Sequence, residues 1–215
     1  MLFRSTGVVP ATLMPTSANF GNVPQGTPST AKNFTLTNNA VAALSISSIT
    51  TSNPDYTQTN TCGSSLAGKA HCTISVTFTP SNIGTETGTL TVTDGALNSP
   101  QTASLTGVGI AQATVAPTSM TFAAQKVGTT SAPHNATLKN NLSTSLTISS
   151  LTFSGANAGD YAQTNNCGSS LAAKSACTIS VTFTPTATGT RTATLNVNDS
   201  ANNSPQQVSL TGTGK

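Results

Sequence analysis

The stretch Cys72-Thr-Ile-Ser-Val-Thr-Phe-Thr-Pro80 decides the fold, and it returns unchanged 105 residues later as Cys177-Thr-Ile-Ser-Val-Thr-Phe-Thr-Pro185. Within it Cys72, Ile74, Val76 and Phe78 share one side, and Thr73, Ser75, Thr77 and Thr79 share the other. That is the period-two alternation of a strand with one buried face and one wet face. Branching at Cβ costs little on a pleated surface, which suits Thr, Val and Ile to it. Working outward, Thr61 to Pro80 and Asn166 to Pro185 agree at 16 of 20 positions. Further upstream Pro15, Phe20, Leu36, Asn38, Asn39, Leu44 and Ile46 match Pro117, Phe122, Leu138, Asn140, Asn141, Leu146 and Ile148 at an offset of 102. The chain is therefore a duplication with three residues added to the second copy, and Phe153-Ser-Gly-Ala-Asn-Ala-Gly-Asp160 reads as the loop that took them.

The alternation recurs at Phe34 and Leu36, Leu44 and Ile46, Leu90 and Val92, and in the second copy at Ile179, Val181 and Phe183, then Leu195 and Val197. Turn signals interrupt it at Pro24 to Pro28, Asn38-Asn39, Asn53-Pro54, Pro80 to Gly84, Asp94-Gly95 and Asn98-Ser-Pro100. About seven short strands per copy follow, and strands at this spacing point to an all-β fold. A barrel fits the pattern less well than a sandwich of two antiparallel sheets. The expectation is two tandem immunoglobulin-like β-sandwich domains over residues 11–110 and 111–215, preceded by an N-terminal extension over residues 1–10.

Only 6% of the residues are charged, against about 25% in ordinary globular domains. The net charge of +3 is spread over eight separated Lys and Arg. With no Trp and two Tyr, neither a phosphate-tracking stripe nor a base-stacking platform exists, so no nucleic-acid partner is expected. No apolar run approaches the roughly 18 residues of a spanning helix, so membrane insertion is not expected. Residues 1–10 are too short for a signal peptide, leaving a removed signal, a fragment of a longer chain, or a frayed tail as readings.

Four cysteines fall as Cys62 with Cys72 and Cys167 with Cys177. Three pairings are possible, and the repeat favours the one within each copy, since a module that folds alone must close its own bridge. Closing so small a loop stabilises by about 2–3 kcal/mol. Free thiols and a metal site are the alternatives. Zinc spacing is missing, and His71, beside Cys72, has Ala176 as its counterpart, so no metal site and no cofactor are expected. Bridged cysteines imply an oxidising compartment, hence an exported protein: extracellular, cell-surface or periplasmic.

For catalysis the chain offers two histidines, His71 and His134, at non-equivalent positions, and five scattered carboxylates: Asp55, Glu86, Asp94, Asp160 and Asp199. No nucleophile with its base and no phosphate or calcium loop can be assembled, so no catalytic residue is expected. Asp55 and Asp160 read as turn caps. Tyr56 and Tyr161 read as packed tyrosines with a bonded hydroxyl rather than sugar-stacking platforms. Asn-x-Ser/Thr triplets begin at Asn33, Asn135, Asn141, Asn198 and Asn202, as chance alone supplies in such a composition.

The run from Tyr56 through Cys62, Cys72 to Pro80, Gly84, Leu90-Thr-Val92 and Leu105-Thr-Gly107-Val-Gly109 resembles the bacterial immunoglobulin-like repeats called choice-of-anchor D repeats. These are related to ASH and hydin-like, major-sperm-protein-like modules. The second copy matches through Tyr161, Cys167, Cys177 to Pro185, Gly189, Leu195 and Leu210-Thr-Gly212-Thr-Gly214. The resemblance implies arrays in large exported bacterial proteins that serve as stalks, spacers or adhesive segments, with no catalytic residues. Two copies and no visible anchor depart from that pattern. A structural or adhesive module in contact with other proteins or copies of itself is the expectation, and a glycan- or peptide-binding module is the alternative. Two candidate sites follow. Val8, Val9, Leu13 and Met14 form an apolar segment suited to strand addition. Gly155, Ala156, Asn157, Ala158 and Gly159, the added loop, suit partner recognition.

Overall fold

The alternating stretch is a strand in both copies, His71–Phe78 and Ala176–Phe183, with Cys, Ile, Val and Phe facing inward. A computed structural model describes residues 9–215, and the chain divides between Ile110 and Ala111 into two compact units. In chain order the first unit holds β1 (Ala11–Met14), β2 (Ser17–Pro24), β3 (Lys32–Asn38), β4 (Leu44–Thr51), β5 (Tyr56–Asn60), β6 (Ser65–Leu66), β7 (His71–Phe78), β8 (Gly84–Asp94) and β9 (Gln101–Ile110). The second holds β10 (Ala113–Ala116), β11 (Ser119–Thr121), β12 (His134–Asn140), β13 (Leu146–Ser154), β14 (Tyr161–Asn165), β15 (Ser170–Leu171), β16 (Ala176–Phe183), β17 (Gly189–Asp199) and β18 (Gln206–Gly214). A single 3₁₀ turn, Ala158–Asp160, precedes β14.

Each unit is a sandwich. In the first, β1-β3-β7-β5 faces β2-β9-β8-β4-β6; in the second, β10-β12-β16-β14 faces β11-β18-β17-β13-β15. The nine strands per unit among the described residues exceed the seven read from the sequence. The first strand is divided between the two sheets at Pro15 and Pro117, and the cysteine loop adds a two-residue strand. The sheets are also not wholly antiparallel. β2 runs parallel to β9, with Ala18 opposite Leu105, and β11 runs parallel to β18, with Met120 opposite Leu210. The divided strand is thus antiparallel to β3 and β12 in its first half and parallel to β9 and β18 in its second.

Phe34, Leu36, Ile74, Val76, Phe78, Leu90, Val92 and Leu105 are fully buried between the sheets of the first unit, and their counterparts fill the second. The Phe78 ring lies against the backbone of Gly107, and that of Phe183 against Gly212, where a Cβ would collide with the ring. This is the physical content of the repeated Leu-Thr-Gly. Cys62 is bridged to Cys72 and Cys167 to Cys177, with Cα atoms 5.0 and 4.9 Å apart.

Candidate interaction surfaces

Loops gather at two poles of each unit. At the N-terminal pole of the first, Asn39 N donates to Pro10 O, Lys69 N to Ala40 O and Gly95 N to Ser45 O, which ties three loops together. The organiser is Asn38, buried at the end of β3. Its Nδ2 reaches the carbonyls of Ala42, Leu66 and Ala67 at 2.8, 3.1 and 3.1 Å, and its Oδ1 accepts from Ala40 N at 3.0 Å. Asn140 repeats this with Thr144, Leu171, Ala172 and Leu142 N. The sequence presents Asn38-Asn39 only as a turn; that its first member is the buried hub is signalled solely by its recurrence as Asn140-Asn141.

A second amide guards the edge strand. Asn98 Nδ2 donates to Ala11 O at 2.8 Å and its Oδ1 accepts from Ala11 N, while Asn203 holds Ala113 in the same way. The amide imitates one residue of a neighbouring strand, so the edge is partly closed to outside pairing. This places the strand-addition candidates. Leu13 is buried within β1, which pairs with β3 of its own sheet; Met14 and Val9 are exposed, and Val8 lies outside the described residues.

At the base of the same pole Asp199 Oδ1 accepts from Ala201 N at 2.9 Å, and its Oδ2 and the Oε1 of Gln206 are buried without a protein partner. Burial pushes the Asp199 carboxyl above its ordinary range. Asp94 and Gln101 reproduce the same pair of unpartnered oxygens.

The poles diverge in what they show to solvent. Around the hub, Ala40, Val41, Ala42 and Ala43 of the first unit stand where the second has Leu142, Ser143, Thr144 and Ser145, and Leu97 stands where the second has Asn202. A hollow of about 260 Å³ opens in the first unit beside Pro10, Ala40, Leu44 and Leu97.

At the C-terminal pole, Gly26 N donates to Pro80 O and Thr79 N to Asp55 O. Here the repeats exchange charge. In the second unit Asp160, 3% exposed, is ion-paired with Arg191, Nε to Oδ2 at 2.5 Å, and accepts from Thr186 Oγ1 at 2.8 Å. Arg191 holds the Asp160 carboxyl below its ordinary range. In the first unit Glu86 occupies the place of Arg191. Asp55 accepts from Ser81 N at 2.6 Å. The hydrogen bond to Asp55, ahead of burial, raises the Glu86 carboxyl above its ordinary range. Burial works to raise Asp55, but the Ser81 N–H and the Glu86 bond bring it below its usual range. The two aspartates therefore clasp a loop 26 residues downstream rather than cap their own turn.

Tyr56 and Tyr161 are packed in the core, their hydroxyls donating to Glu86 O at 3.0 Å and Arg191 O at 2.9 Å. Burial, first among the causes, pushes both phenols up to about 12. The added loop is fastened rather than loose: Asn157 N donates to Thr192 O at 3.1 Å and its Oδ1 accepts from Thr192 N at 2.9 Å. Beside Gly155 a hollow of about 280 Å³ is lined by Thr192, Thr194, Ser209 and Thr211. His71 is exposed at the start of β7, and His134 stacks on Phe122 with centroids 4.4 Å apart. Among the described residues no three His, Cys, Asp or Glu come together to hold a metal ion.

Residues 12–108 match the family model described as HYDIN/CFA65/VesB-like, Ig-like domain, and residues 114–215 match Cep192 domain 4. Among solved structures, a protein of unknown function from Porphyromonas gingivalis W83 is 7% identical with a TM-score of 0.41, over 95% of this chain and 99% of that one. The VesB protease of Vibrio cholerae is 19% identical with a TM-score of 0.39, over 46% of this chain and 32% of the protease. The ASH/PapD-like domain 7 of human CEP192 is 18% identical with a TM-score of 0.39, over 49% of this chain and 86% of that domain. No curated protein matches the chain in sequence.

Proposed function

From the premise that the chain is a tandem of hydin-like, ASH-type immunoglobulin-like repeats, we propose that it is a non-catalytic structural or adhesive module of an exported bacterial surface protein or extracellular assembly, making contacts with other proteins or with copies of itself. The observation that carries this is the pair of bridges, Cys62–Cys72 and Cys167–Cys177, one in each repeat. They belong to an oxidising compartment. Duplication has kept the core, the bridge and the asparagine hub while changing the solvent-facing residues of the poles, which is the pattern of a scaffold whose ends meet different neighbours. Labelling of intact native cells with a membrane-impermeant amine reagent tests it. The chain should be labelled and carry no free thiol; an unlabelled chain with four reactive thiols would overturn the proposal.

The glycan- or peptide-binding alternative draws support from the hydroxyl-lined hollow beside Gly155. Shortening Gly155 to Gly159 to the length of the first repeat should abolish array binding under that reading, and binding that survives would count against it.

A further inference from the structure

The two N-terminal poles differ in depth as well as polarity. Leu142 folds inward in the second unit and is 8% exposed, part of the core. Its counterpart Ala40 is three carbons smaller, and there the hollow of about 260 Å³ opens among Pro10, Ala40, Ala43, Leu44 and Ala96. At its lip stand Leu97, 98% exposed, and Val41, 85% exposed, the two most exposed large apolar side chains among the described residues. One patch thus carries a hollow and, at its lip, an almost fully exposed leucine. In the second unit Leu142 is buried in the core at the position of Ala40, and Asn202 replaces the exposed leucine.

We propose that this pole is a self-association site, in which Leu97 of one copy enters the hollow of a second copy while that copy's Leu97 enters the first. This rests on the proposed role as a contact module and names one of its contacts. Three features select a second copy as the occupant. The hollow is large enough to admit a leucine side chain, and the second unit buries a leucine, Leu142, at the position that Ala40 holds in the first. Knob and hole lie on one patch, which is what a twofold, self-complementary interface requires. No charged residue lines the hollow, so a twofold axis brings no like charges together; the nearby Lys69 ammonium is turned to the Asn39 carbonyl, at 2.5 Å.

The patch is small. Nine residues line the hollow, against about 20–30 per side in stable interfaces. A weak dimer follows, half formed at about 0.1–1 mM, a range that molecules fixed side by side in an assembly reach locally. The plugged, polar pole of the second unit cannot propagate it, so association stops at two.

Sedimentation velocity of the full chain from about 10 μM to about 1 mM reads the equilibrium directly. The wild type should shift from monomer towards dimer, and Leu97→Asn and Ala40→Leu should each weaken association about tenfold or more. Both substitutions install the residue that the second unit already accommodates at that position, and circular dichroism confirms folding. A wild type that stays monomeric throughout, or a dimer that persists in both variants, would overturn the proposal. So would a variant lacking residues 1–8 that dimerises where the full chain does not, since the occupant would then be the chain's own start. Each of these results leaves the surface-labelling test of the proposed function untouched.

Discussion

Asn38 bears more of its unit's architecture than its size suggests, and removing it has a calculable cost. In Asn38→Ala the carbonyl of Leu66 loses its donor in a buried place, at about 1–3 kcal/mol. The carbonyls of Ala42 and Ala67 and the N–H of Ala40 are part-buried, and their lost bonds add about 1 kcal/mol together once partial rehydration is allowed. The total is about 2–4 kcal/mol. Asn38→Asp keeps the shape but removes both donors and turns a carboxylate towards three carbonyls, so it should cost more than the alanine. Asn140→Ala, with the same four partners, should match Asn38→Ala to within about 1 kcal/mol, near the reach of additivity between distant sites. The chain has two tyrosines and no tryptophan, one tyrosine in each unit. In a Tyr161→Phe background urea unfolding followed by tyrosine fluorescence therefore reports the first unit alone. A cost for Asn38→Ala below about 1 kcal/mol, or an aspartate no worse than the alanine, would refute the hub.

Three further outcomes are expected. Glu86→Arg should give the first unit the ion pair of the second. The folded pKa of Asp55 then lies further below its unfolded value, so the added stability is present above about pH 4 and disappears as pH falls through the folded pKa; urea midpoints from pH 7 to pH 3 measure it, and a gain that grows on acidification would contradict it. Replacing Cys62 and Cys72 by serine should lower the first unit's stability by about 2–3 kcal/mol, read from urea midpoints, and an unchanged midpoint would remove the bridge from the energetics. Gly107→Ala should cost about 1–3 kcal/mol because its Cβ meets the Phe78 ring, and recovery in the double variant with Phe78→Leu would show that this contact is the cause.

What the sequence revealed follows from where its signals are strong. The alternation in Cys72 to Phe78 gave the buried face, since period two leaves no other arrangement for Ile74, Val76 and Phe78. The parallel edge between β2 and β9 was not legible, because Ser17 to Pro24 carries little alternation and pairing direction leaves no mark on a strand's own residues. Asn38 and Asn98 were hidden for another reason. Both look like turn formers, and nothing local separates an asparagine that bends the chain from one whose amide satisfies carbonyls 28 or 87 residues away.

The duplication supplies what a single sequence otherwise lacks, an internal control. Residues kept in both copies, such as Tyr56 and Tyr161 or Asn98 and Asn203, satisfy the same bond in each unit, so their recurrence is explained by the fold. Residues that differ are released from that demand. His71 against Ala176 is an exposed exchange at the start of β7 that touches nothing the fold requires. Glu86 against Arg191 alters the charge at one pole, and Ala40 with Leu97 against Leu142 with Asn202 alters packing at the other. The last pair changes two residues of one patch, leaving a hollow beside Ala40 and exposing Leu97 at its lip. Drift at a solvent-facing pole has no reason to couple those two changes, whereas a contact made by the first unit alone does.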